Sequence, residues 1–206
     1  MRIVCLSDTH NRHGAIRVPE GDVFLHAGDA TMHGTPEEVA GFDAWLATLP
    51  HRHKVVVAGN HDFLFERDPA RARALLTGVT YLEDSGVTIE GVRFWGSPWQ
   101  PRFFDWAFNL DRGAALKAKW DLIPSGIDVL IVHGPPRGVL DRTWHGEEVG
   151  CDDLREALGR VQPPLFVCGH IHEAYGEQRL GATRCVNASV CDVREKPIHA
   201  PVVVDR

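Results

Sequence analysis

Phe24-Leu25-His26-Ala27-Gly28-Asp29 is an apolar run that ends in a glycine and a single carboxylate, and its design recurs four times along the chain. Ile3-Val4-Cys5-Leu6-Ser7 runs into Asp8, with His10 two positions on. Val55-Val56-Val57-Ala58-Gly59 runs into Asn60-His61, and Val129-Leu130-Ile131-Val132 runs into His133-Gly134. Leu165-Phe166-Val167-Cys168-Gly169 runs into His170, with His172 behind it. Runs of β-formers of this length read as strands. Each then delivers Asp, Asn or His to a C-terminal strand end, where ligands collect in α/β sheets. The pattern points to metal-dependent hydrolytic chemistry at the strand tips.

Working outward, 206 residues suit one large domain, residues 1–206, with room for a substantial core. A net charge of −6 argues against a non-specific binder of polymeric nucleic acid, which would be basic. Bound divalent cations would make the potential at the site much more positive than this sum suggests, so anionic substrates stay open. The five cysteines form no CxxC pair, and Cys5 and Cys168 lie inside apolar runs, as in a reducing compartment. Met1 leads straight into the first strand with no signal-peptide pattern, and no apolar run approaches membrane-spanning length. A cytoplasmic location with no membrane partner is the expectation.

Strands are expected at 2–7, 23–28, 54–58, 128–132, 165–169, about 174–180, 183–187 and 201–205. Thr35-Pro36-Glu37-Glu38 reads as a capping box opening a helix whose apolar face is Val39, Phe42, Leu46 and Leu49. Further helices are expected from Asp68-Pro69 to before Gly78, near 112–121, and through Leu154, Ala157, Leu158 and Val161 up to Pro163-Pro164. Glycine-punctuated runs between 79 and 98 suggest antiparallel hairpins, and the aromatic, proline-rich stretch 98–111 a packed irregular loop. Strand–helix alternation with hairpins in the middle and at the end implies two packed mixed sheets with helices outside.

Asp8-x-His10, Gly28-Asp29, Gly59-Asn60-His61-Asp62, His133 and Gly169-His170-x-His172 resemble, in order and spacing, the calcineurin-like metallophosphoesterase signature. The resemblance implies an α/β fold, a four-layer αββα sandwich, with a dinuclear site at the strand C-terminal ends. It implies Asp8, His10 and His172 on the first metal, Asn60, His133 and His170 on the second, and Asp29 bridging. His61 resembles the family's catalytic histidine, which protonates the leaving oxygen or stabilises phosphoryl charge after in-line attack by a metal-bridging hydroxide. An all-nitrogen-and-oxygen set suits two divalent ions drawn from Mn, Fe, Zn, Co or Ni, with Mn²⁺ expected to support activity in vitro.

His26-Ala27-Gly28-Asp29, Gly96-Ser97-Pro98-Trp99-Gln100-Pro101, Trp106-Ala107-Phe108-Asn109, His133-Gly134-Pro135-Pro136, Gly150-Cys151, the run from Gly169 to Gly176 and Asn187-Ala188-Ser189 are similar to the metallophosphoesterase-domain-containing (MPPED-type) subfamily. That similarity implies a phosphodiesterase acting on a small phosphodiester, such as a 2′,3′- or 3′,5′-cyclic nucleotide. The rival readings are a phosphomonoesterase, a non-catalytic metal-binding scaffold, and a nuclease, the last disfavoured by the acidic balance. Gly28-Asp29-Ala30-Thr31-Met32-His33-Gly34 lacks the further Asp and Arg of the protein phosphatases that share the signature, which leaves the partner orienting His61 open.

Arg12, Arg137 and His145 are the candidates for substrate contact, alongside Arg142. His26 reads as a core histidine, and Asp62 as a capping carboxylate behind the site. The 98–108 aromatics are a core under a loop or a stacking platform. Cys151, just before a helix, could have a lowered thiol pKa, but no neighbouring base in the sequence makes it a nucleophile.

Overall fold

Strands and helices alternate through residues 1–206 of the computed structural model. β1 (Arg2–Leu6) and β2 (Val23–Ala27) lead through α1 (Pro36–Thr48) to β3 (His53–Val57). Two short helices, α2 (Phe63–Arg67) and α3 (Pro69–Leu75), precede β4 (Thr80–Tyr81). β5 (Ser85–Ile89), β6 (Val92–Ser97), β7 (Gln100–Pro101) and β8 (Asn109–Leu110) occupy the middle of the chain. α4 (Ala114–Trp120), β9 (Val129–Val132), α5 (Asp152–Val161) and β10 (Leu165–Cys168) follow. β11 (Gly176–Leu180), β12 (Thr183–Asn187) and β13 (Val202–Asp205) complete the order.

The first sheet runs β13-β1-β2-β3-β4 and the second β11-β12-β10-β9-β6-β5. Each has a parallel centre. In the first sheet β13 alone is antiparallel; in the second, β5 and β11 are antiparallel at the two edges. The parallel register aligns the C-terminal ends of β1, β2 and β3 in one sheet and of β9 and β10 in the other.

Strand periodicity sorts the core into layers. Ile3, Cys5, Leu25, Val55 and Val57 face Val129, Ile131, Leu165, Val167 and Val186 of the opposite sheet. The alternate residues Val4, Leu6, Phe24 and Val56 pack against Phe42 and Leu46 of α1. On the far side, Leu130, Val132, Phe166 and Cys185 lie under Leu116 and Trp120 of α4 and Leu154 and Leu158 of α5. This is the αββα sandwich, two mixed sheets flanked by helices. Each such buried side chain contributes about 1.5–3 kcal/mol of apolar transfer.

Local signals act as expected at α1. Thr35 Oγ1 accepts from Glu38 N at 3.2 Å, and Glu38 Oε2 accepts from Thr35 N at 3.1 Å. Three details differ from the sequence reading. Thr80-Tyr81 is no hairpin arm, because it pairs in parallel with β3, Val55 opposite Thr80. α2, at five residues, is too short to carry a helical period. The 98–111 stretch is regular in part, with Gln100 paired to Asn109 and Pro101 to Leu110. All five cysteines are free and buried. No helix is long and apolar enough to cross a membrane.

Candidate metal centre

Five strands end at one seam between the sheets, and the residues that follow them converge there. Donor atoms of Asp8, His10 and His172 lie within 4.8 Å of one another, as do those of Asp29, His133 and His170, and of His10, Asp29 and His61. Asp29 is common to two of these groups. Asn60 joins through Oδ1, 2.9 Å from His133 Nε2. Asp8, His10, Asp29, Asn60 and His133 are all buried.

Close approach explains the glycines that precede these residues. A Cβ on Gly59 would lie 2.7 Å from His133 Cε1 and closer still to the Asp29 carboxylate, and one on Gly169 would meet Ser7 and Asp8. Asp8, His10, Asp29 and His170 take left-handed backbone angles, with φ of 55°, 40°, 54° and 68°. Such conformations are uncommon for non-glycine residues and cluster at functional sites.

Backbone carbonyls fix the imidazole tautomers. His133 Nδ1 donates to Ala27 O at 2.9 Å, and His172 Nδ1 donates to Asp192 O at 2.8 Å. Each neutral ring therefore turns an Nε2 lone pair inward. His133 Nε2 faces Asp29 Oδ2 at 3.4 Å, and His172 Nε2 faces Asp8 Oδ1 at 3.3 Å and His10 Nε2 at 3.3 Å. A lone pair aimed at acceptor oxygens needs a cation between them or a proton on the ring. This donor set fits divalent metal ions, with second-atom contacts of the kind that orient ligating histidines.

Without such ions the site titrates abnormally. Burial opposes the charge on His133, but Asp29 outweighs it and lifts the ring to about 9. His172 is likewise lifted to about 9 against burial, by Asp8. Burial also opposes ionisation of Asp29, yet His133, His10 and His61 hold it well below the usual carboxylate range. His170 is pushed down to about 3 by burial, reinforced by His133, and so stays neutral.

His61 has its own anchor. Its Nδ1 donates to Met32 O at 2.8 Å, and its backbone N–H donates to Asp29 Oδ1 at 2.8 Å. A main-chain carbonyl from the loop after Asp29 thus orients the ring, a contact invisible in side-chain spacing. Asp62 is the brace behind it. Its carboxylate accepts from Gly59 N, Ala30 N and Thr31 N and from Thr31 Oγ1, tying the β2 and β3 loops together.

The centre opens into a cleft of about 620 Å³. Phe103, Trp106, Arg102, Arg112 and His145 line it, with Glu147, Glu173 and Glu195 among them. Trp106 stands 5.0 Å from the His61 ring, centroid to centroid. Of the expected substrate contacts, His145 reaches the cleft, whereas Arg12 and Arg137 are absent from its walls. Arg12 is exposed, and Arg137 is turned 3.9 Å from Glu148. Arg102, inside the aromatic stretch, and Arg112, just after it, stand out less in the sequence because neither follows a long apolar run. Cys151 caps α5 through Sγ, accepting from Leu154 N at 3.4 Å, and burial raises its thiol pKa. His26 is a core residue whose Nε2 lies 3.1 Å from Thr9 Oγ1.

The calcineurin-like phosphoesterase family profile matches residues 1–174. Human metallophosphoesterase domain-containing protein 1 is 47% identical, over 99% of this chain and 70% of its own. A UPF0046 protein of Caenorhabditis elegans is 38% identical, over 98% of this chain and 74% of its own. Among solved structures, TT1561 of Thermus thermophilus superposes with a TM-score of 0.61 at 15% identity, over 90% of this chain and 88% of the other, a likeness of fold. The profile match and the near-full-length identities agree with the convergent donor set, and the chain belongs to the calcineurin-like phosphoesterases, a family of metal-dependent phosphoester hydrolases.

Proposed function

We propose that this chain is a dinuclear metal-dependent phosphodiesterase acting on a small phosphodiester, with cyclic nucleotides as the first class to test and residues 1–206 working as one catalytic domain. The position of Asp29 carries the reading: its carboxylate lies beside His10, of the Asp8–His10–His172 group, on one side and beside His133 and His170 on the other, where one carboxylate could serve two cations. Asp8, His10 and His172 would hold one ion, Asn60, His133 and His170 the other, and Asp29 both. When bound, two divalent ions lower the pKa of coordinated water towards neutrality and offset charge on the phosphoryl oxygens.

The chain's own residues supply the rest. His61, with Nδ1 committed to Met32 O, keeps Nε2 for the substrate. As an imidazolium it donates a proton to the leaving oxygen, the part of a general acid. Trp106 and Phe103 line that side and offer faces for a base or another planar group. Asn60 O accepts from Ala107 N at 3.1 Å, so the aromatic wall is hung directly on a proposed ligand residue.

The charge of the cleft walls supports the reading of a diester over a monoester. Arg102 and Arg112 are outnumbered by Glu147, Glu173 and Glu195, so these side chains add no net positive potential beyond the ions. A monoanionic diester tolerates that balance better than a dianionic monoester. The test is hydrolysis of bis-p-nitrophenyl phosphate against p-nitrophenyl phosphate by metal-free protein reloaded with Mn²⁺. Preference for the diester supports the reading, and preference for the monoester replaces it with phosphomonoesterase activity. Two bound ions with no turnover of either would favour a scaffold.

A further inference from the structure

The segment following β12 lies beyond the residues matched by the family profile, which ends at 174, yet it touches both halves of the proposed centre. Ala188 N donates to Cys168 O of β10 at 2.8 Å, and Ala188 O accepts from Ser7 N, beside β1, at 2.9 Å. Val190 N then donates to Ser7 O at 3.1 Å. Residues 187–190 therefore cross from the second sheet to the first at the seam where the ligand loops begin.

Side chains extend the crossing into the site. Ser189 Oγ donates to Asp8 Oδ2 at 2.7 Å. Asn187 Nδ2 donates to Ile171 O at 2.9 Å, and its Oδ1 accepts from Ser189 N at 3.0 Å. His170 N–H completes the link by donating to Asp8 Oδ1 at 3.1 Å. Two residues further on, Asp192 O holds His172 Nδ1. Asn187, Ala188 and Ser189 are wholly buried. Burying an amide and a hydroxyl is unfavourable unless each is hydrogen-bonded. Here the bonds run to a proposed ligand and to the loop carrying two others, not to the helices or the sheet faces.

We propose that residues 187–190 form a strap that fixes the spacing between the Asp8 side and the His170–His172 side of the centre, with Ser189 and Asn187 as positioning residues. The proposal rests on the reading of Asp8, His10 and His172 as ligands of one ion. The strap acts through two connections: main-chain bonds lock the sheets at a fixed separation, and Ser189 sets the rotation of the Asp8 carboxylate. Loss of an outer contact of this kind weakens metal affinity about 10–100-fold.

The test is calorimetric titration of Mn²⁺ into metal-free full-length protein, with the paramagnetic resonance spectrum of bound Mn²⁺ and the melting temperature of the metal-free form recorded alongside. The wild type should take up two ions and give a spin-coupled spectrum. Ser189→Ala should weaken one binding step about 10–100-fold, leave the other in place, and give a single-ion spectrum at limiting Mn²⁺. Ser189→Thr, which keeps the hydroxyl, should restore the coupled signal. Asn187→Ala carries the same expectation if Ser189→Ala does not fold. Fewer than two ions in the wild type would overturn the dinuclear reading and the strap with it. Two ions in the wild type with an unchanged Ser189→Ala isotherm would overturn the strap alone, as would equal weakening of both steps with a lowered melting temperature.

Discussion

The floor and the wall of the cleft are built on different principles. On the floor, Asp8, Asp29 and His133 are at most 2% exposed. Each is pinned by named partners: Ser189 and His170 N–H on Asp8, His61 N–H on Asp29, and Ala27 O on His133. On the wall, Phe103 is 53% exposed, and Arg102 answers to the surface carboxylate of Asp111. Pinned donors in a buried seam need no reorganisation when charge develops, the condition under which electrostatic stabilisation is strongest. A wall held by stacking and surface ion pairs can change without disturbing the floor. On the proposed function, chemistry belongs to the first region and substrate choice to the second.

Breaking that division at its most sensitive point means removing His61, which belongs to the floor but faces the cleft. His61→Ala should lower kcat about 100–10,000-fold, the range of a lost general acid, while Mn²⁺ stoichiometry stays at two. Steady-state kinetics beside metal analysis checks it. Unchanged kcat would remove His61 from the mechanism, and loss of an ion would make it a ligand instead.

A methyl group placed behind the floor tests whether close packing sets the geometry. In Gly59→Ala the new Cβ meets Asp29 and His133, with backbone among its neighbours, so nothing flexible can yield. Overpacking of this kind destabilises by about 1–3 kcal/mol. Denaturant unfolding should show that loss together with weaker Mn²⁺ retention. The same change at Gly41, which has open space around it in α1, should be neutral or slightly stabilising.

The floor was legible in the sequence because strand, glycine and ligand are adjacent along the chain. Asp8, Asp29, Asn60, His133 and His170 each follow an apolar run; parallel pairing aligns those ends within each sheet, and face-to-face packing of the two sheets brings the two sets together. The Met32 carbonyl on His61 was not legible, because a main-chain acceptor leaves no residue-type signal. Nor was the role of Asn187 and Ser189, whose partners lie up to 181 residues away along the chain. The wall resisted reading for another reason. Arg102 and Arg112 reach the cleft beside β7 and β8, two-residue strands too short to show a period, whereas Arg12 and Arg137, adjacent in sequence to proposed ligands, are not among the residues that line it.

Histidine 26 separates core from floor by pH. It is fully buried, and burial pushes its pKa down from 6.5 to about 3. Between those values the unfolded chain binds a proton that the folded one refuses, so stability falls as pH drops from about 6.5 towards 3. Down to pH 5 this residue alone accounts for about 2 kcal/mol. Urea melts of metal-free wild type and His26→Gln at pH 6.5 and 5 should show a shallower decline in the variant. Equal slopes would mean that the acid sensitivity resides in other histidines, such as His13 and His170, whose pKa values burial also lowers.

The smallest effect should come from the wall, and its form matters more than its size. Trp106 packs 5.4 Å from both Phe103 and Phe104, so Trp106→Ala removes the centre of an aromatic cluster, with no proposed ligand lost. A stacking contact is worth about 0.5–1.5 kcal/mol, so KM for bis-p-nitrophenyl phosphate should rise about two- to tenfold with kcat little changed. Methyl p-nitrophenyl phosphate, with one ring fewer, should show a smaller rise, and Arg12→Ala should leave both constants unaltered. A fall in kcat without a change in KM would mean that Trp106 holds the His61 ring in place, which would move it from the wall to the floor.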